Sequence, residues 1–127
     1  MFALERADAP LMIKYTGGKV QSRHAALAIN MAGGGGFEIW QYTSRVPEPP
    51  EFDLQLGDLG IYIAKIKCNN IRGSFSRHTR LGLDLLGEIS IGPNGTEHYF
   101  VKDPYGSIFE VVKGNDWFAN RKGGVQL

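Results

Sequence analysis

Cysteine occurs once in this 127-residue sequence, at Cys68, so no internal disulfide can form and no paired-cysteine metal motif is present. The thiol reads as a buried structural one, and its solitude fits a reducing compartment. Charge of one sign is also scarce. Fourteen basic against thirteen acidic residues leave a formal charge of +1, without the excess that neutralising a run of phosphates needs, which argues against a nucleic-acid partner. No apolar stretch nears the roughly 20 residues of a membrane-spanning helix. Met1–Pro10 carries Glu5, Arg6 and Asp8 where a secretory signal needs an apolar run, so the chain reads as cytoplasmic and without a membrane partner.

Apolar residues make up 43% of the chain and charged residues 21%, the balance of a folded globular domain. Seventeen glycines and six prolines cut it into short runs rich in β-branched and aromatic residues. The runs read as strands at Leu11–Tyr15, His24–Asn30, Phe37–Tyr42, Ile61–Cys68, Leu85–Ile91, His98–Lys102 and Ile108–Val112. Asn69 or Asn70 can cap a short helix through Ile71, Phe75 and Thr79, and Phe2–Ala7 reads as a fainter helical fragment. Pro93-Asn94-Gly95 and Asp103-Pro104-Tyr105-Gly106 should reverse the chain between antiparallel strands. Three prolines within Val46–Pro50 make Ser44–Asp53 a stiff, extended linker.

The halves on either side of that linker repeat one another. Phe37-Glu38-Ile39-Trp40 and Phe109-Glu110-Val111-Val112 lie 72 residues apart. The same offset lays His24–Asn30 on Thr96–Lys102, Leu11–Tyr15 on Leu83–Gly87 and Phe2–Ala7 on Ser74–Thr79. The second half reads βαβββ from Ile61 to Val112, and the first reads as the same unit without its opening strand, which would begin about a dozen residues before Met1.

A glutamate within an apolar strand is an anomaly, because an unpaired buried carboxylate costs several kcal/mol. Here it recurs at equivalent positions. Strand alternation places Glu38 on one face with Trp40 and Tyr42, and Glu110 with Val112. Two carboxylates converging on one cleft would suit a divalent metal or a proton-transfer pair; two ordinary glutamates on a wet sheet face are the bland alternative.

The run Phe100–Val112, with Asp103-Pro104-Tyr105-Gly106 followed by Glu110, resembles the closing segment of the vicinal oxygen chelate superfamily. That group includes glyoxalase I, fosfomycin and bleomycin resistance proteins and extradiol dioxygenases. Ile63–Ile71 likewise resembles its opening strand running into its helix. The resemblance implies an α+β fold of two βαβββ units forming a cupped mixed sheet. One glyoxalase-like domain would span residues 1–127: an incomplete first unit at 1–43, a linker at 44–56, a second unit at 57–113 and a tail at 114–127. It also implies a homodimer, and a divalent metal (Ni, Zn, Mn or Fe) held by Glu38 and Glu110 that chelates neighbouring oxygens of a small-molecule ligand. The remaining two ligands belong on the opening strands, where Ile63 and nearby Ile61 carry no donor and the first unit has no such strand.

His98 sits on the strand before Glu110 and is expected to line the cleft, while His24 lies near the matching place in the first unit. Two readings stay open. In one, Glu38, Glu110 and His98 serve a metal-dependent lyase, isomerase or dioxygenase. In the other, Trp40, Tyr42 and Tyr62 wall a metal-free cleft that sequesters a small molecule. A degenerate interaction module is a third. The tail, with Trp117, Phe118, Arg121 and Lys122, suggests docking. Gly33–Gly36 lacks the lysine and helix of a phosphate loop and reads as a hairpin turn.

Overall fold

The computed structural model describes residues 2–33, 35–49, 51–53, 58, 60 and 62–114. The aromatic tail beyond Gly114 and Ile61 lie outside the described residues. The fold is α+β and falls into two units, Met1–Ile29 with Gly35–Asp53, and Asn30–Gly34 with Leu54–Leu127.

Unit 1 is an antiparallel sheet of β1 (Phe2–Asp8), β2 (Ser22–Ile29) and β3 (Gly36–Tyr42), in that spatial order. Two expectations are overturned here. Phe2–Ala7 is strand, not helix, and Leu11–Tyr15 lies in a 3-10 helix, Pro10–Tyr15, rather than a strand. An isolated six-residue α-helix cannot repay its own nucleation, whereas a strand beside β2 gains a ladder of hydrogen bonds. Pro10 fixes φ and has no N–H to give a ladder, so it opens a helical turn instead. Buried Thr16 closes that turn, its hydroxyl donating to the Lys19 carbonyl at 2.6 Å. The proline-rich stretch 44–49 is exposed and carries neither helix nor strand.

Unit 2 is built from β4 (Ile63–Cys68), α1 (Ile71–Arg80), β5 (Asp84–Leu85), β6 (Ser90–Ile91), β7 (Glu97–Lys102) and β8 (Ile108–Lys113). Its sheet runs β4-β8-β7-β5, with β6 also on β7. β4 and β8 are parallel, and the remaining pairs are antiparallel. The expected strand Leu85–Ile91 is interrupted. Leu85 opposes Val101 and Ser90 opposes His98, so the chain bulges between them, where Gly87 takes a φ of +100° closed to most side chains. β5 and β6 thus act as one bulged strand, and the order β4, α1, β5/β6, β7, β8 is βαβββ. Among the described residues of unit 1, nothing corresponds to β4 or α1.

Helix α1 starts where Asn70, at φ −130°, accepts a hydrogen bond from the Gly73 amide at 2.9 Å. Arg77, His78 and Arg80 occupy its last turn, where cations favour the negative end of the dipole. It packs Ile71 and Phe75 on Tyr99 and Val111, with Cys68, Leu85, Ile89 and Val101 around them. Tyr99 is fully buried, edge-on to Phe75 at 5.1 Å. In the β7–β8 reversal, Asp103 accepts from the amides of Tyr105 and Ser107, and Gly106 takes a φ of +92°.

Candidate functional site

Strand alternation gives unit 2 two unlike faces. Ile66, Cys68, Tyr99, Val101, Phe109 and Val111 share the helix-facing side. On the other side, the register sets Lys65 opposite Glu110 and Glu110 opposite Phe100, with Lys67, Val112 and His98 as the next row. Glu110 is therefore flanked by a lysine on the parallel neighbour and, on the diagonal, by a histidine on the antiparallel one.

Both flanking groups reach it. His98 Nδ1 lies 2.6 Å from Glu110 Oε1, and Lys65 Nζ 2.8 Å from Oε2. The imidazole is itself sheltered, standing edge-on to Phe100 at 5.2 Å, while Lys65 is more than half exposed. Burial alone would push the Glu110 carboxyl up. The hydrogen bonds and charges of Lys65 and His98 outweigh it and hold the carboxyl below its ordinary value. With Nδ1–H donating to the carboxylate, His98 Nε2 is left to accept when the ring is neutral and to donate when it is charged.

This donor set does not fit a divalent metal. Both Glu110 oxygens are engaged, and the residue facing it on β4 brings an ammonium into the space a metal cation would need. Ile63, two residues earlier on the same face, offers no donor. Among the described residues, no group of three His, Cys, Asp or Glu side chains could hold a metal ion.

Unit 1 gathers a different set. Glu38 is exposed, opposite Leu27, and shares its face with Trp40 and Tyr42. The Arg23 guanidinium lies 4.8 Å over the Trp40 ring, and that of Arg45 lies 5.6 Å from the centre of Tyr42. The place that His98 holds beside Glu110 belongs here to Ala25, two residues before Leu27 and 1% exposed. His24 opposes Gln41 on the other face. Tyr62 is half-buried just before β4 in unit 2. Lys65 is the residue that sequence reasoning missed. It becomes visible only once β4 is paired in parallel with β8 and its register is known.

No protein-family model and no curated protein matches this chain. Among solved structures, a glyoxalase family protein from Bacillus cereus overlays with a TM-score of 0.67 at 18% identity, covering 87% of this chain and 76% of that one. A glyoxalase family protein from Enterococcus faecalis gives 0.52 at 15% identity, over 87% and 75%. Identities this low establish the fold and nothing finer: the chain has the fold of these glyoxalase family proteins.

Proposed function

We propose that the Glu110 face of unit 2 binds a small oxygenated molecule without a divalent metal, as a sequestering protein rather than a metal-dependent lyase, isomerase or dioxygenase. The observation that carries this reading is the pair of contacts on Glu110. An ammonium at 2.8 Å and an imidazole at 2.6 Å already neutralise and orient the carboxylate. A fixed, ionised Glu110 in turn holds Lys65 and His98 as hydrogen-bonding groups for a ligand oxygen, and the Phe100 ring beside His98 supplies an apolar contact.

Calorimetric titration with Zn, Ni, Mn and Fe(II) salts should show no stoichiometric uptake. Uptake that disappears in Glu110→Gln would instead restore the metal-dependent reading. A thermal-shift panel of small carboxylates and carbonyl compounds should yield a stabilising ligand. At a hundredfold excess over Kd the gain is about 2.7 kcal/mol, and Lys65→Met should abolish it. The protein is further proposed to be a homodimer, supported by Ile39 standing half exposed on the sheet face of unit 1. Light scattering at tens of micromolar that returned the monomer mass would end that proposal.

A further inference from the structure

The opposite side of the unit 2 sheet holds a cavity of about 450 Å³, within the ~300–1,000 Å³ of pockets that take drug-sized ligands. It lies between α1 and the sheet and runs to the β7–β8 turn. Its walls are apolar, from Ile66, Phe109 and Val111 on the strands to Leu83 beyond the helix. Cys68, Ser74 and His78 bring thiol, hydroxyl and imidazole groups to its lining. Alternation along β4 and β8 separates it from the Glu110 cluster: Ile66 and Val111 point away from Lys65 and Glu110.

The polar groups at this cavity carry no free charge at neutral pH. Burial pushes the Cys68 thiol up, so it stays protonated. Burial, helped by Arg77, lowers His78, so the ring stays neutral. The Tyr99 hydroxyl, pushed up to about 12 by burial, lies 2.9 Å from His78 Nδ1. A phenol is the stronger donor, so it donates to Nδ1 and the imidazole carries its own proton on Nε2. Three charged residues border it, of which Lys67 belongs by alternation to the opposite face of β4. Lys102 Nζ lies 3.1 Å from Asp84, and Asp103 accepts from two backbone amides. A charged ligand would lose its hydration here without gaining a counterion, while an apolar one loses nothing.

We propose that this cavity is a second binding site, selective for uncharged, mainly apolar small molecules bearing one hydrogen-bonding group, and independent of the Glu110 face. It does not rest on the function proposed above.

The test uses the full chain and phenylnaphthylamine, a neutral apolar fluorophore with one N–H. Because Cys68 is the single cysteine, its alkylation by N-ethylmaleimide, followed by mass, reports on the cavity alone. Saturable fluorescence enhancement is expected, with alkylation slowed at least tenfold at saturation. Leu83→Trp, which fills the mouth, should abolish the enhancement while the far-ultraviolet dichroism stays native. Lys65→Met, on the other face, should leave it intact. The proposal is overturned by non-saturable fluorescence, by probe binding that leaves the Cys68 rate unchanged, or by binding that Lys65→Met removes. The alkylation readout requires no variant to fold.

Discussion

Replacing Lys65 by methionine keeps the length of the side chain and removes its ammonium. Glu110, with 11% of its side chain exposed, then retains only the His98 contact at 2.6 Å. A charge-assisted hydrogen bond to a buried acceptor is worth roughly 1.5–3 kcal/mol, whereas fully exposed pairs give about 0–1 kcal/mol. Lys65 is 58% exposed, so solvent screening brings the expected loss to about 1–2 kcal/mol. For a chain of this length that is a fall in Tm of about 4–8 °C. The same change has a pH signature. Glu110 is depressed in the folded protein, so its contribution is complete above the ordinary carboxylate value of 4.5 and is lost as pH falls through the lower, folded value. Without Lys65 the depression shrinks, so the acid loss still begins near 4.5 but is smaller and is complete at a higher pH. Carboxyl-carbon NMR titration of Glu110 alongside scanning calorimetry measures both. If Tm and the Glu110 titration are both unchanged in Lys65→Met, the ion pair does not order this face and the metal-free reading loses its basis.

Asn70→Ala removes the cap of α1 and should cost about 1 kcal/mol, read in urea unfolding, whereas Asn70→Asp should retain most of it. His78 is lowered below 6.5, so native stability should decline as pH falls through 6.5 and the folded value, where the buried ring must be charged. In His78→Gln that slope should flatten in calorimetric scans. Gly106→Ala forces a side chain to φ +92°, at a cost of order 1–3 kcal/mol, visible as a lower urea midpoint with the m-value unchanged. A neutral effect would mean that the β7–β8 turn relaxes to negative φ.

Unit 2 was far more legible than unit 1. Its helix announces itself by the Asn69-Asn70 cap followed by Ile71 and Phe75, and its last hairpin by Asp103-Pro104-Tyr105-Gly106, because caps and turns are local signals. The 72-residue offset holds for the final strands, with Glu110 on β8 matching Glu38 on β3. Before them it fails, since Phe2–Asp8 has the composition of a helix and is held extended only by its partner β2. Register was the other hidden quantity. Leu27 opposes Glu38 where Phe100 opposes Glu110, one residue out of step with the repeat, so the place beside Glu38 falls to Ala25 rather than the Ala26 that the offset matches to His98. Parallel pairing leaves no turn signal, so the approach of Lys65 to Glu110 could not be read from either segment alone.

The parallel pairing of β4 with β8 also governs how the chain reaches this state. Ile63 and Ile108, paired at one end of the ladder, are 45 residues apart, with the helix and two antiparallel connections between them. β4 is synthesised early and must wait for β8 to emerge before it has a neighbour, so α1 has no finished surface to settle on until then. Unit 2 should therefore fold in one late step as β8 leaves the ribosome. A nascent chain arrested shortly before Ile108 would present β4, with Lys65 and buried-to-be Lys67, to chaperones as an unpaired strand.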